Sequence, residues 1–293
     1  MKKKLIFRGC ATALITPFRN DEIDYGALAA LIDKQIAAGI DCLVIGGTTG
    51  EASTLSDTER YRLFEFTRTY TEGRCKLILG TGSNDTKRAV EYTRAAARVG
   101  ADGALVVTPY YNKGTYDGIV SHYLTIADAA DIPMLLYNVP ARTGVNLSLD
   151  AIARLCECER IVGIKEASDS QDRLTAVSAF GESLYLYSGN DSQIYPVLAL
   201  GGQGVISVAS IIVPRLIKSI TDSYFSGHTA DALTVQRRMI PFVSALFSET
   251  NPAPIKYLMS REELCSPEIR LPLSMPPRRL ALHIVREYEK IKD

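Results

Sequence analysis

Lys165 stands inside IVGIKEAS (161–168), a run that is apolar up to the lysine and turns acidic and small immediately after it. Desolvating an ammonium in such a strand costs several kcal/mol unless the charge is paired or the proton is lost. Two chemistries meet that demand. The plainer is an ion pair with Glu166 or a neighbouring carboxylate, since structural pairs occupy such positions as well as active sites do. The other is a nucleophilic amine. An amine attacks a ketone only when neutral, which requires a pKa drawn down from about 10.4 toward about 7 to 8, as an apolar strand end near a cation can do.

Residues that would complete carbonyl chemistry lie on three further segments. They are Thr48 and Thr49 in GGTTGEAS (46–53), Tyr110 and Tyr111 in TPYYN (108–112), and Tyr137 and Arg142 in YNVPARTG (137–144). A Schiff base on Lys165 would withdraw electrons from the α-carbon of a bound ketone and allow an enamine to attack an aldehyde. Carbinolamine formation and dehydration each move a proton, and Tyr137 is the candidate to shuttle it. A threonine hydroxyl both donates and accepts, so Thr48 can link Tyr137 to a second tyrosine. Arg142 suits a carboxylate gripped by two bonds. Each feature also has a plainer reading: GGTTG as a turn or a backbone anion nest, the tyrosine pair as packing, Arg142 as a solvated charge. GGTTGE is not a GxxxxGK[ST] phosphate loop, because Glu51 stands where lysine is required. For no site to exist here, all the plain readings must hold together.

Such residues converge if they end the strands of one parallel sheet. Eight short β-branched and aliphatic runs recur, at 10–17, 41–47, 75–82, 102–109, 133–140, 161–167, 183–190 and 204–210, each followed by a helix-length segment. Near-continuous apolar strands alternating with helices predict a (β/α)8 TIM barrel over residues 1–225, an α/β fold whose chemistry sits at the C-terminal strand ends. A doubly wound open sheet is the alternative. After residue 225 the strand pattern stops, and helices are expected at 229–248, 251–260 and 276–291, making 226–293 a C-terminal helical segment.

With 293 residues, 46% hydrophobic and 23% charged, the chain has the composition of a globular protein with a sizeable core. Lys plus Arg (33) balance Asp plus Glu (33), so no basic surface for nucleic acid or anionic membrane is expected. The start, MKKKLIFRGC, has too short an apolar run for a signal peptide, and no stretch approaches a membrane helix; a cytoplasmic location is expected. Cys10, Cys42, Cys75, Cys156, Cys158 and Cys265 are scattered mostly through apolar runs and are expected to be free thiols. His122, His228 and His283 lie far from the one close pair, Cys156 and Cys158, so no metal site is expected.

GGTTGE, TPYYN, YNVPARTG, GIKEAS (163–168) and GVISV (204–208), in this order and spacing, resemble the dihydrodipicolinate synthase family of class I aldolase-type barrels over essentially the whole chain. The resemblance implies condensation of pyruvate with L-aspartate 4-semialdehyde in diaminopimelate and lysine biosynthesis, with no metal or organic cofactor. It implies that Lys165 forms the Schiff base, Tyr137 shuttles protons, and Thr48 and Tyr111 complete the relay, Tyr111 from a neighbouring subunit of a homotetramer built as a dimer of dimers. Thr49 would hold the pyruvate carboxylate and Arg142 that of the semialdehyde, while the Gly189 and Ile206 backbones line the pocket. N-acetylneuraminate lyase, a 2-keto-3-deoxy sugar acid aldolase and a non-catalytic pyruvate-binding sensor are the alternatives; Arg142 speaks against the sugar aldolases and the full relay against a sensor. Lysine-inhibited members use two histidines, an asparagine, a glutamate and a tyrosine in an interfacial cleft. Asn84 and Tyr110 match, but Asp57, Arg60 and Arg88 replace the histidines and the glutamate, and Asp57 is expected to cap its helix or face solvent. Insensitivity, or weak sensitivity, to lysine is the expectation.

Overall fold

The computed structural model describes residues 3–292; Met1 and Lys2 of the basic start, and Asp293, lie outside the described residues. Eight parallel strands close on themselves: β1 (Gly9–Ala13), β2 (Cys42–Ile45), β3 (Lys76–Gly80), β4 (Gly103–Val107), β5 (Met134–Asn138), β6 (Ile161–Glu166), β7 (Tyr185–Ser188) and β8 (Gly204–Ser207), with β8 returning to pair with β1. The barrel expectation holds, and the open sheet is excluded by that last pairing. The expected runs extend past the strands at their C-terminal ends, where the chain leaves the ladder for the loops.

Two apolar clusters follow from the two-residue period of the strands. One is made of strand residues such as Ala11, Val44, Ile78, Leu105 and Ile206, with Phe7 stacked on Tyr187, and fills the barrel. The other joins the opposite faces of the strands, for instance Leu43, Leu79 and Leu136, to the surrounding helices. Along β5 and β6 this alternation is interrupted. Met134 faces Ile161, but Leu135 faces Gly163, so β6 carries an extra residue there. Such irregularities re-aim the side chains that follow. Beyond the shift, Lys165 pairs with Tyr137 on the inner face and Glu166 with Asn138 on the outer one.

The covering helices are α1 (Tyr25–Ala37), α2 (Asp57–Thr71), α3 (Thr86–Arg98), α4 (Tyr116–Ala129), α5 (Leu149–Cys156), α6 (Gln171–Ser178), α7 (Ile194–Ala199) and α8 (Pro214–Phe225). Side chains of Asp24, Ser56, Asp85, Thr115, Ser148 and Ser170 accept hydrogen bonds from the first turns of α1 to α6, which ends each loop sharply. Three more helices follow, α9 (Thr229–Leu246), α10 (Ala253–Arg261) and α11 (Arg278–Glu289). Of these, α9 packs along α8, and α11 packs on α9 and α10. The six cysteines are free. Among the described residues no helix is long and apolar enough to cross a membrane, and no group of three or more His, Cys, Asp or Glu is arranged to hold a metal ion.

His122, on α4, is buried with Nδ1 2.9 Å from the Thr86 hydroxyl and its ring edge against Tyr123. Burial pushes its pKa down to about 4, with Asp85 opposing. An unfolded histidine binds a proton near pH 6.5, whereas the folded one resists until about 4, so stability present above 6.5 is lost as the pH falls between those values. The loss attributable to this residue is about 3 kcal/mol. Urea unfolding across this range should show His122→Gln losing distinctly less stability on acidification than the native protein; parallel curves would remove His122 as a cause.

Candidate active site

Loops from the C-terminal ends of β2, β4 and β5 open onto one cavity of about 280 Å³, lined by Thr48, Tyr110, Tyr137 and Arg142 together with Glu51, Arg60 and Asn251. Three of the expected site residues, Thr48, Tyr137 and Arg142, therefore share a cavity although they come from separate segments. Lys165 does not line it directly. Its Nζ lies 4.4 Å from the centroid of the Tyr137 ring, which does. Lys165 is 5% exposed and Tyr137 7%, so the amine is held in an apolar interior with an aromatic face as its neighbour.

Glu166 does not pair with this lysine. Its carboxylate is fully buried on the outer side, where it accepts from Asn138 Nδ2 (2.8 Å), the Ser168 N–H (3.1 Å) and Arg173 Nε (3.2 Å). Among the described residues no carboxylate lies within ion-pairing distance of Lys165. The plain ion-pair reading is overturned by strand geometry: adjacent residues on one strand point to opposite faces.

Glycine permits the closest approaches around the site. A Cβ on Gly80, at the end of β3, would fall 2.2 Å from the Gly46 carbonyl oxygen, so the loop after β2 folds directly over that strand end. Gly189, just after β7, donates its N–H to the Glu166 carbonyl at 2.7 Å, and a Cβ there would meet that of Ala167 at 2.5 Å. Gly189 thus lies against the end of the lysine strand. Ile206 is fully buried on the inner face of β8; neither residue lines the cavity. Thr49 is turned into the protein, where its hydroxyl accepts from Asn251 Nδ2 at 2.9 Å. Arg142, on the one-turn helix Pro140–Thr143, donates from Nη2 to the Asn251 carbonyl at 2.9 Å, leaving its other N–H groups available. Tyr111 stands apart. It is 87% exposed, with φ at +72°, and its backbone N–H donates to Thr143 O, which holds the ring clear of its own chain.

The charges on α2 and α3 are already engaged. Asp57 does not cap α2: Ser56 does, in a capping box with Glu59. Instead the Asp57 carboxylate accepts from the Tyr92 hydroxyl at 2.6 Å and lies 4.0 Å from Arg88. Arg60 is buried, donates to the Gly80 and Ala52 carbonyls and stacks over the Tyr92 ring at 4.2 Å. Asn84 and Asn112 are joined by a hydrogen bond from Asn112 Nδ2 to the Asn84 carbonyl.

Sequence reasoning missed the contribution of the C-terminal segment. Asn251, Pro272 and Leu273 line the cavity, and no spacing in the sequence announces them. Glu51, whose backbone takes the left-handed conformation at φ +53°, forms a fully buried ion pair with Lys256 of α10. The Glu51 carboxylate also accepts from the Arg270 N–H at 3.0 Å, and Lys256 donates to the Glu268 carbonyl at 3.0 Å and sits over the Phe18 ring. Burial draws the Lys256 pKa down, while Glu51 opposes that shift. The one hint in the sequence was an acid in a Gly-rich turn, for which no partner was visible.

Residues 6–279 match the model of the Dihydrodipicolinate synthetase family. The 4-hydroxy-tetrahydrodipicolinate synthase of Endomicrobium trichonymphae is 42% identical over 280 residues, covering 94% of this chain and 96% of that protein. The crystal structure of dihydrodipicolinate synthase from Aquifex aeolicus is similar with a TM-score of 0.95 and 41% identity, covering 97% of this chain and 98% of the other. The chloride-inhibited dihydrodipicolinate synthase from Acinetobacter baumannii, complexed with pyruvate, is similar with a TM-score of 0.94 and 36% identity, over 97% and 98% of the two chains.

Removing one member of a buried ion pair strands the other charge in a low-dielectric interior, at a cost of about 3–5 kcal/mol. Lys256→Met is expected to lose stability of that order in chemical denaturation. A loss below about 1 kcal/mol, the scale of an exposed pair, would show that the Glu51–Lys256 bridge is not an important tie.

Proposed function

The chain belongs to the dihydrodipicolinate synthetase family, and from that membership we infer that it is a Schiff-base-forming lyase of the class I aldolase type. Its reaction is that of 4-hydroxy-tetrahydrodipicolinate synthase, the condensation of pyruvate with L-aspartate 4-semialdehyde in diaminopimelate and lysine biosynthesis. The family is a pyruvate-dependent one that works without a metal or organic cofactor. The observation that carries the reading is Lys165: an interior amine with no carboxylate partner, its Nζ over the ring of a tyrosine that lines the cavity.

Neutral Lys165 attacks the pyruvate ketone carbon, and the carbinolamine loses water as Tyr137 returns a proton to the departing oxygen. Loss of a methyl proton turns the iminium into an enamine, which attacks the aldehyde carbon of the semialdehyde; the amino group of the semialdehyde then adds to the regenerated iminium carbon, closing the ring and expelling the Lys165 amine. Thr48 and Tyr111 of the partner subunit complete the relay with Tyr137. Thr49 holds the pyruvate carboxylate and Arg142 that of the semialdehyde, with the Gly189 and Ile206 backbones beside the reacting carbons. The position of Arg142 supports this reading, because its remaining N–H groups offer a charge-assisted grip on a carboxylate at the cavity wall. The names of the relatives favour the synthase over N-acetylneuraminate lyase, a 2-keto-3-deoxy sugar acid aldolase or a pyruvate sensor.

The protein is proposed to act in the cytoplasm as a homotetramer, a dimer of dimers, without nucleic-acid or membrane partners. Tyr111 supports the assembly: a tyrosine 87% exposed beside the cavity wall has little to do within its own chain. Insensitivity to lysine is proposed on the charges of α2 and α3. Arg60 and Arg88 repel an ammonium, and Asp57, the one acid among the three substituted positions, is held by Tyr92 and Arg88.

Borohydride reduction in the presence of pyruvate should leave one reduced pyruvyl group on the peptide containing Lys165; a label on any other lysine would overturn the assignment. Free lysine titrated into a coupled assay at constant ionic strength should not reach half-inhibition below about 1 mM, a binding energy near −4 kcal/mol. Tighter inhibition would mean that Asp57 or another acid turns into the cleft.

A further inference from the structure

The amide of Asn251 reaches Thr49 across 202 residues of chain, and the bond it makes has a direction. Asn251 Nδ2 can only donate, so at 2.9 Å it occupies a lone pair of Thr49 Oγ1. Both residues are buried, Thr49 at 4% exposed and Asn251 at 7%. A hydroxyl has a single hydrogen, which cannot be directed back along a bond in which the oxygen is already the acceptor. No other hydrogen bond among the described residues engages that hydroxyl, so its hydrogen remains unspent. Thr48 and Asn251, on either side of Thr49, both line the cavity.

We propose that Asn251 is a positioning residue that fixes the Thr49 hydroxyl as a donor to the pyruvate carboxylate. A carboxylate accepts and never donates, so a hydroxyl whose hydrogen is already directed away from Asn251 meets it without reorienting, while a donor-only group such as an ammonium finds no acceptor there. The backbone carbonyl of the same residue accepts from Arg142 Nη2 at 2.9 Å, so one residue touches both groups assigned to substrate carboxylates. Its position is anchored from the C-terminal side: Lys256, one turn into α10, is buried against Glu51, two residues beyond Thr49. The inference rests on the assignment of Thr49 to the pyruvate carboxylate.

Asn251→Asp keeps the shape but supplies an acceptor where the donor was. The introduced carboxylate takes the Thr49 hydrogen and leaves none for pyruvate. Asn251→Ala removes the constraint and lets the hydroxyl turn freely. KM for pyruvate is expected to rise about fivefold in N251A and at least about tenfold further in N251D, with kcat changing less than KM. Simple packing gives the opposite order, because alanine leaves a void and aspartate does not. Repulsion between the new charge and pyruvate is separated by a double-mutant cycle: in a Thr49→Val background the extra effect of aspartate over alanine should largely vanish, whereas charge repulsion would persist. If N251D does not fold, Asn251→Gln decides in its place, since its amide nitrogen can still only donate. KM is then expected within about threefold of native, below that of N251A.

An aspartate no worse than alanine, an aspartate effect undiminished without the Thr49 hydroxyl, or glutamine matching alanine in the substitute experiment would overturn the proposal. Half-saturation for pyruvate in reductive trapping on Lys165 is measured alongside. If the native protein forms no pyruvate adduct there, it is the functional reading that fails; if it does and the variants do not follow the expected order, only the role of Asn251 fails.

Discussion

A lysine side chain inside a barrel of largely apolar residues, with no carboxylate within ion-pairing distance among the described residues, is the constraint on which the site depends. Water would solvate an amine far better than the interior does, and a lysine is held there only if the surrounding fold over-determines its place. The register shift between β5 and β6 does so. Because Leu135 faces Gly163 where strict pairing would give Val162, Lys165 comes to the inner face beside Tyr137, and the acid next to it in sequence is turned outward to Arg173. The acid adjacent in sequence is thus engaged on the far side of the strand. What remains beside the amine is an aromatic ring.

The cavity in front of that ring is assembled from both ends of the chain. The turn after β2 carries Thr48 and Thr49, and its acid, Glu51, is tied to Lys256 inside the protein. Arg270 extends the tie, donating to Glu51 through its backbone and to Glu59 and Asp21 through its guanidinium, while lying over the Phe18 ring at 4.3 Å. A buried ion pair is not a cheap source of stability compared with apolar packing, but its directional bonds specify one arrangement. Here that arrangement places Asn251, Pro272 and Leu273 at the cavity wall. The segments that flank α10 accordingly form part of the site's wall, while α9 covers α8.

Charge on the α2 and α3 side obeys the same economy of partners. Arg60 has its guanidinium bound to two backbone carbonyls and a tyrosine face, and Asp57 is shared by Tyr92 and Arg88. These contacts knit the two helices together close to the turn that folds over Gly80. They also leave no unengaged acid among the residues that matched the regulatory cleft, which is why the substitutions at 57, 60 and 88 act as a set.

Much of the fold was legible because local physics wrote it into the chain. Most strands lie in short β-branched and aliphatic runs and are almost wholly buried, and helices α1 to α6 open on a Ser, Thr or Asp that caps the first turn. The candidate site was legible as well, in so far as Thr48, Tyr137 and Arg142 stand at strand ends, where a parallel barrel must gather them. Facing and long-range pairing were not legible. With strict alternation from Ile161, Lys165 would have turned toward the helices; only closure of the barrel, with its extra residue in β6, brought it inside and sent Glu166 out. Nor does any periodicity relate Asn251 to Thr49 or Lys256 to Glu51, because such bonds are chosen by the packing of α10 against the barrel mouth. Sequence by itself determined the elements and the chemical groups at their ends; tertiary structure decided which way those groups point and which partners they keep, since a strand's period is local while its register, and the burial of a charge, belong to the whole fold.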